Sequence, residues 1–226
     1  MLDTTQKSML MRCTFDEEYW YDSAKLLYSV DTNVNIVTLT FDDGHADGNL
    51  SEILSVLDYF GVTATFFMNG DADASLLAQI VDDGHQIANH GYSHYDSTVV
   101  SSDTLAYDIT LMEEYIQDST GTSSYPFFRL PYGSYDAQAL EVIGNLGYEY
   151  AVQWSIDTQD WTGISATSIS NAVVNDAFPG AIVLMHASVG AANTPESLWY
   201  TIPALLNDGY ELVTLEELLE YDGVYI

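Results

Sequence analysis

Basic side chains are almost missing from this chain. Of its 226 residues only 4 are Lys or Arg, whereas 34 are Asp or Glu, which gives a formal net charge of −30. Such an acidic surface repels nucleic acid and anionic membranes, so we expect neither as a partner. After Lys25 the one cation in the sequence is Arg129, and we interpret it as functional rather than as an isolated structural ion pair.

Cysteine and long apolar runs are also scarce. Cys13 is the single cysteine, so no disulfide can form within the chain and a cysteine-rich zinc site has no basis. No apolar run reaches the roughly 18–20 residues that cross a membrane, which predicts no membrane insertion. Residues 1–7 are polar and lack the apolar region of a signal peptide. This leaves open a processed form, an intracellular protein or part of a longer chain.

Three common catalytic signatures are absent as well. The sequence contains no Gly-x-Ser-x-Gly, no P-loop and no Gly-x-Gly-x-x-Gly. A serine nucleophile on a strand-to-helix turn is therefore not indicated. A metal ion is the natural alternative source of an activated water molecule.

Strand-like and helix-like segments alternate from residue 34 onward, as in parallel α/β folds. We predict helices at residues 47–60, 73–83, 103–118, 136–146, 166–177 and 195–207, and a last helix that begins with a capping box of Thr214 and Glu217. The predicted strands are residues 35–40, 63–68, 86–89, 126–129, 149–154, 181–185 and 211–213. Seven strands predict an incomplete barrel, with an open doubly wound sheet as the alternative.

The domain prediction follows from the same alternation. Residues 34–226 are expected to form one domain, and residues 1–33 to form an extension that packs on it. The extension has apolar and aromatic side chains that we expect to cover one end of the barrel: Phe15, Tyr19, Trp20, Tyr21, Leu26, Leu27 and Tyr28.

Polar clusters follow five of the predicted strands. Active sites of α/β barrels and open α/β sheets lie at the carboxyl ends of the strands, so we expect these clusters to meet there. In chain order they are Thr-Phe-Asp-Asp-Gly (40–44), His-Gly-Tyr-Ser-His (90–94), Arg-Leu-Pro-Tyr-Gly (129–133), Asp-Thr-Gln-Asp-Trp (157–161) and Leu-Met-His (184–186).

The second cluster has the spacing of a metal-ligand pair. His90 and His94 are four residues apart, which on a helical turn places both rings on one face. Asp42 and Asp43 supply candidate carboxylate ligands, and alternation along a strand would let their side chains diverge. The alternative for Asp-Asp-Gly is a turn with an Asx hydrogen bond.

Taken together, the five clusters resemble the motifs of the carbohydrate esterase family 4 polysaccharide deacetylases, also called the NodB homology domain. The similarity runs from about Ile36 to Leu219 and includes the connecting segments GVTATFF, DDGHQIANH, PGAIVLMH and GYELVTLEEL. The resemblance implies a distorted (β/α)7 barrel. It also implies a metal-dependent hydrolase that removes acetyl groups from a polysaccharide or oligosaccharide.

The resemblance further implies a role for each motif residue. Asp43, His90 and His94 would bind one divalent metal ion, usually Zn²⁺, with Co²⁺ or Ni²⁺ as alternatives. Asp42 would act as the general base and His186 as the general acid. The remaining expected contributors pair with these two residues or bind the oxyanion and substrate: Arg129, Asp160, Tyr132, Pro131, Trp161 and Leu184.

Three further positions are considered for the expected substrate groove. His45 replaces the proline that usually follows Asp-Asp-Gly in the family, and we expect it to be an exposed loop residue rather than an extra ligand. Trp154 and Trp199 are further candidates for the acetyl pocket or sugar groove, with core packing favoured for Trp154.

The substrate stays open at this stage. The first hypothesis is N-deacetylation of N-acetylglucosamine units, as in peptidoglycan or chitin, and the alternative is O-deacetylation of acetylated xylan. A non-catalytic carbohydrate-binding protein on the same fold is a third, minor hypothesis. By resemblance we expect a monomer that is secreted or extracytoplasmic.

Overall fold

The computed structural model describes residues 23–45 and 48–224. Among these residues there are seven α-helices, α1 to α7: Leu50–Phe60, Ala74–Asp82, Ser102–Thr120, Ala137–Asn145, Ala166–Asp176, Thr194–Asn207 and Leu215–Leu219. The strands in the same residues are β1 to β9: Lys25–Leu27, Ile36–Asp42, Thr65–Met68, Gln86–Asn89, Phe127–Phe128, Tyr150–Val152, Ile156–Asp157, Ala181–His186 and Glu211–Leu212.

All of these strands belong to one parallel sheet that curls into an open barrel. Their order is β1-β6-β5-β4-β3-β2-β8-β7, and β9 pairs with the start of β2. Within residues 23–45 and 48–224, no ladder closes β1 onto β7. The predicted α/β fold, a distorted (β/α)7 barrel, is confirmed.

The chain changes partner near residue 154 and so bridges the two edges of the sheet. The backbone N–H of Gln153 donates to the carbonyl of Leu27 in β1, whereas that of Ser155 donates to Ile182 in β8. This switch divides the predicted strand 149–154 and its continuation into β6 and β7. Strand β1 was not predicted. Its three residues are too few to specify a strand by themselves, and pairing with β6 stabilises it.

The domain boundary at residue 34 stays a prediction, although β1 lies before it and contributes to the sheet. The expected packing of Phe15, Tyr19, Trp20 and Tyr21 lies outside the described residues. No helix in the described ranges is long and apolar enough to cross a membrane.

Strand β2 organises the interior because it is buried along its whole length and pairs with β3, β8 and β9. Alternate residues Val37, Leu39 and Phe41 pack in the same apolar cluster as the inner face of α1. Thr40 and Asp42 point the other way and both contact the guanidinium of Arg129. The period of a strand thus places an apolar layer on one face of β2 and the groups that contact Arg129 on the other face.

At the far end of the chain, the predicted capping box is confirmed. The side chain of Thr214 accepts from the backbone N–H of Glu217, and the Glu217 side chain accepts from the backbone N–H of Thr214.

Candidate active site

Asp42 and Arg129 form a buried ion pair at the end of β2. Arg129 Nη1 lies 2.6 Å from Asp42 Oδ1, and neither side chain is appreciably exposed. Arg129 also donates to Thr40 Oγ1 and to the carbonyl of Gln153, and its guanidinium stacks on Phe67 with 4.1 Å to the ring centroid. Burial raises the pKa of Asp42, and the charge of Arg129 opposes that rise. Arg129 therefore favours and orients the ionised carboxylate.

Asp43 turns back toward the same cavity as Asp42. It has a left-handed backbone, with φ +70°, which is uncommon for a residue other than glycine. Asp42 Oδ2 and Asp43 Oδ1 consequently lie 3.8 and 3.9 Å from the same atom, Nε2 of His90. The expectation that strand alternation would make the two carboxylates diverge is wrong, because Asp43 comes after the last residue of β2.

His90 and His94 meet through a bend, not a helical turn. Residues 90–94 have no helical assignment; Gly91 has φ +75° and His94 has φ +54°. The ring centroids are nevertheless 5.0 Å apart. The predicted helical geometry is therefore wrong, because two left-handed residues reverse the chain and bring the rings together.

His90 is set up as a neutral ligand. Its Nδ1 lies 2.8 Å from the backbone carbonyl of Arg129, so Nδ1 carries the hydrogen and Nε2 presents its lone pair. Burial lowers the pKa of His90 to about 3, against the opposing charge of Asp43. The imidazole is therefore unprotonated at neutral pH, as metal binding requires.

The donor set of Asp43, His90 and His94 fits one metal ion. One ligand atom from each residue lies within 4.8 Å of the other two, and Asp43 Oδ1 is 3.4 Å from His94 Nε2. Zinc bonds of about 2.0–2.1 Å place tetrahedral ligand atoms about 3.4 Å apart. Asn69 Nδ2 donates to Asp43 Oδ1 at 3.1 Å and so fixes the carboxylate.

His186 lies at the end of β8, beside Asp42 in the ladder. Its Nδ1 is 2.7 Å from Asp160 Oδ1, and its backbone N–H donates to Asp160 Oδ2. Burial lowers the pKa of His186, but the hydrogen bond and charge of Asp160, joined by Asp42 and Asp43, outweigh it and raise the pKa overall. The free ring nitrogen of His186 can therefore carry and release a proton near neutral pH.

One cavity of about 440 Å³ collects these groups. Asp42, Asp43, His90, His94 and His186 all line it. Strained backbone concentrates around the same opening, since the four non-glycine residues with positive φ in the described ranges are Asp43, His94, Tyr132 and Gln159. Such strain is typical of functional sites, where the surrounding fold holds it in place.

Comparison with known proteins agrees with this arrangement. A family model described as polysaccharide deacetylase matches residues 29–151. A peptidoglycan-N-acetylglucosamine deacetylase from Bacillus cereus is 33% identical over 206 residues, which are 89% of this chain and 74% of that protein. The chain belongs to the polysaccharide deacetylase family.

Other relatives of this deacetylase extend the picture. A chitooligosaccharide deacetylase from Azorhizobium caulinodans is 29% identical over 81% of this chain and 94% of that protein. The crystal structure of the Bc1960 peptidoglycan N-acetylglucosamine deacetylase has a TM-score of 0.82 at 32% identity, covering 86% of this chain and 92% of that one. BA3943 from Bacillus anthracis, a CE4 family pseudoenzyme, has a TM-score of 0.78 at 29% identity, covering 87% of this chain and 69% of that one.

Not every predicted site residue of the deacetylase reaches the cavity. Tyr132, Trp161 and Leu184 line it, the first two being 68% and 56% exposed. Pro131 is buried in the turn before Tyr132 and is not a lining residue. Trp154, for which core packing was favoured, both lines the cavity and packs against an apolar cluster.

Trp199 is placed elsewhere. It lies on α6, next to Tyr59 and Phe60, and is not a lining residue of the catalytic cavity. His45 is exposed, as expected, and is not a member of the metal-ligand cluster.

Sequence reasoning missed several supporting residues of the deacetylase. Asn69 follows directly after β3, the same strand-end position that drew attention to the other clusters, and could have been found by that rule. Thr194 donates to Asp160 Oδ2 from 34 residues away, and Asp108 accepts from the backbone N–H of Ser93. These two have no local spacing that would indicate them.

Proposed function

We propose that this deacetylase removes the acetyl group from the nitrogen of N-acetylglucosamine units in a peptidoglycan or chitin type of polymer. One observation carries the proposal. Asp42, which pairs with Arg129, and His186, which pairs with Asp160, line the same cavity as the metal-ligand cluster. The names of the relatives from Bacillus cereus and Azorhizobium caulinodans support N-acetylglucosamine as the sugar.

Each residue has a defined task in this proposal. Asp43, His90 and His94 hold one divalent ion, for which we propose Zn²⁺, with Co²⁺ or Ni²⁺ as substitutes. When bound, such an ion polarises the acetyl carbonyl and lowers the pKa of water at the site. Asp42 accepts a proton from the attacking water, and Arg129 stabilises the carboxylate until then.

His186 completes the reaction. Its protonated ring donates to the sugar nitrogen as the carbon–nitrogen bond breaks, which yields acetate and a free amine. Asp160 keeps the ring protonated and correctly turned. We assign the backbone N–H of Tyr132 to the developing oxyanion. Leu184 and Trp161 would contact the acetyl group and sugar, while Pro131 would shape the turn that presents Tyr132.

The site chemistry also allows ester hydrolysis, because only the leaving group differs. A solved relative, the Xyl-CE4 domain of a multidomain xylanase, is 30% identical with a TM-score of 0.76. Acetylated xylan is therefore the second candidate substrate. We further propose that the protein acts outside the cytoplasm, where cell-wall polymers are found, and as a monomer.

Acetate release tests the proposal. The protein is assayed on N-acetylglucosamine oligomers and on acetylated xylan, with chelator and then with added Zn²⁺ or Co²⁺. We expect release from the N-acetylglucosamine oligomers that chelator abolishes and metal restores, and that Asp42→Asn removes. Release from xylan alone would replace the N-deacetylase by the esterase. No release from either substrate, with metal bound, would support the non-catalytic hypothesis.

A further inference from the structure

A second groove lies outside the catalytic cavity, between the outer surfaces of α1 and α6. Its volume is about 360 Å³. The residues that line it are two carboxylates, one hydroxyl and three apolar side chains: Glu52, Glu196, Ser55, Val56, Pro195 and Trp199. None of these residues takes part in the proposed reaction.

Trp199 forms the aromatic wall of this groove, and its ring packs against Tyr59 and Phe60. The ring of Trp199 lies 4.7 Å from Tyr59 and 5.4 Å from Phe60 between centroids, and Tyr59 lies 5.0 Å from Phe60. Despite these contacts, Trp199 is 44% exposed and Tyr59 is 69% exposed. Edge-on and tilted contacts hold the rings in place, and the exposed part of the Trp199 ring leaves an apolar face in water that suits the C–H face of a pyranose ring.

Carboxylates stand beside the aromatic face. Glu52 is in the first turn of α1 and Glu196 in the first turn of α6, and the Tyr200 hydroxyl donates to Glu196 Oε1 at 3.4 Å. A helix dipole favours acids at these positions, which explains their place in the helices. It does not explain an exposed tryptophan between them.

No lysine or arginine in the described ranges neutralises these acids. The two such residues there are Lys25, which pairs with Glu149 at 2.8 Å, and Arg129, which is buried against Asp42. Neither lines the groove. A ligand with an ammonium group would gain Coulomb attraction from the carboxylates and a cation–π contact with the tryptophan face.

The loops that precede α1 and α6, the two helices that line the groove, are tied to each other by hydrogen bonds. Asn49 Nδ2 donates to the carbonyls of Ser188 and Ala191 and so ties together the loops that precede the two helices. Ser188 also lines the catalytic cavity. The loop pair thus connects a residue that lines the catalytic cavity with the starts of the two helices that line the groove.

From this we infer that the groove is a binding site for glucosamine residues, the amino sugars that deacetylation leaves in the polymer. The inference rests on the proposed N-deacetylation. An amino sugar matches both features of the groove, since its ring face fits the aromatic wall and its ammonium group fits Glu52 and Glu196. A polymer with deacetylated units would thereby be held on the protein outside the catalytic cavity.

Calorimetric titration of the full chain with a glucosamine hexamer tests the inference. We expect wild type to bind this hexamer more tightly than the N-acetylglucosamine hexamer, with an affinity that falls as salt is added. Trp199→Ala should weaken binding about tenfold, which corresponds to about 1.4 kcal/mol. The double variant Glu52→Gln/Glu196→Gln should weaken it by a similar factor and reduce its salt dependence.

Two controls separate the groove from the general acidity of the protein. Glu141→Gln/Glu211→Gln removes the same charge from exposed positions on α4 and β9 that line neither the groove nor the catalytic cavity, and should leave the affinity unchanged. Spermine, a polycation without sugar rings, should lose less affinity in Trp199→Ala than the glucosamine hexamer does, because it has no ring face to pack on the tryptophan. Trp199→Phe retains a ring and should keep most of the affinity, which covers the case in which the alanine variant does not fold.

Three results would overturn the inference: Trp199→Ala binds the glucosamine hexamer as wild type does, the two double Glu→Gln variants have the same affinity for it, or wild type does not bind it. Acetate release from an N-acetylglucosamine trimer is measured on the same proteins. Binding that depends on Trp199 without acetate release would support the groove and reject the proposed function. Acetate release together with hexamer binding that does not depend on Trp199 would support the proposed function and reject the groove.

Discussion

Arg129 Nη1 lies 2.6 Å from Asp42 Oδ1, and the side chains of this ion pair are 0% and 4% exposed. Replacing Arg129 by Met leaves the Asp42 carboxylate buried without its partner. We expect the free energy of unfolding to fall by about 3–5 kcal/mol, the usual cost of breaking a buried pair. Urea unfolding of the two proteins measures this difference.

The other ion pair between permanent charges in the described ranges gives a matched control. Lys25 and Glu149 are 2.8 Å apart, but the lysine side chain is 62% exposed. Lys25→Met should change the unfolding free energy by no more than about 1 kcal/mol. Equal effects of Lys25→Met and Arg129→Met would contradict the account of Arg129 as the buried anchor of Asp42.

Asp160 determines the alkaline side of the pH profile. The pKa of His186 is lowered by burial and raised more strongly by Asp160, Asp42 and Asp43, so the net shift is upward. A general acid must be protonated, and the rate therefore falls as pH rises through this pKa. Asp160→Asn removes the main opposing charge and lowers the pKa of His186. We expect the alkaline limb of kcat/KM to move to lower pH.

Thr194→Val separates charge from hydrogen bonding in this prediction. Thr194 Oγ1 donates to Asp160 Oδ2 at 2.6 Å, so valine removes one hydrogen bond and keeps the carboxylate charge. The alkaline limb of this variant should move much less than that of Asp160→Asn. Activity of Asp160→Asn with the wild-type profile would show that His186 is not the general acid.

The positions of most strands along the chain were predictable because their residues carry a local pattern. The run Ala181 to Met185 is wholly apolar, as expected for a strand covered on both faces, and it is a strand in the structure. β1 has only Lys25, Leu26 and Leu27, too few residues for any period, and it depends on β6 across the fold. Its position could not be read from its own sequence.

The site was predictable in its members and not in its geometry. A spacing of four residues between His90 and His94 is compatible with a helical turn and with a bend, and periodicity does not distinguish them. The left-handed backbones of Asp43 and His94, which bring their side chains together, depend on the surrounding fold. Backbone strain of this kind leaves no local signal when the residue is not glycine.

Metal binding should stabilise the folded protein. The cluster of Asp43, His90 and His94 exists only in the native state, so a bound ion adds about 2.7 kcal/mol at one hundred times its Kd. We expect Zn²⁺ to raise the melting temperature of the chelator-treated protein. His94→Ala should abolish that increase and the acetate release together.

His45→Ala is the control for a lost imidazole. His45 is exposed and is not in the cluster, so its removal should leave the zinc-dependent increase intact. A melting temperature of His94→Ala that still rises with Zn²⁺ as in wild type would place the metal elsewhere.

Asp108 is a positioning residue for the metal histidines. Its side chain on α3 is buried, and its two oxygens lie 3.0 and 3.3 Å from the backbone nitrogen of Ser93, between His90 and His94. A Cβ added to Gly91 would lie 2.8 Å from Asp108 Oδ2, so the carboxylate also packs closely under the bend. Asp108→Ala should lower zinc affinity about 10- to 100-fold, the usual effect of losing a support behind the ligands.

The comparison variant is Asp103→Ala, which removes an exposed carboxylate from the first turn of the same helix. Both variants lose one negative charge from the same helix, so Asp103→Ala shows how much of the change follows from the net charge of the protein alone. Zinc affinity measured by competition with a chelating dye should fall only for Asp108→Ala if hydrogen bonding to Ser93 shapes the bend. Gly91→Ala, which strains the bend from the other side, should weaken zinc binding as well. Unchanged zinc affinity in both Asp108→Ala and Gly91→Ala would show that the bend keeps its shape without either constraint.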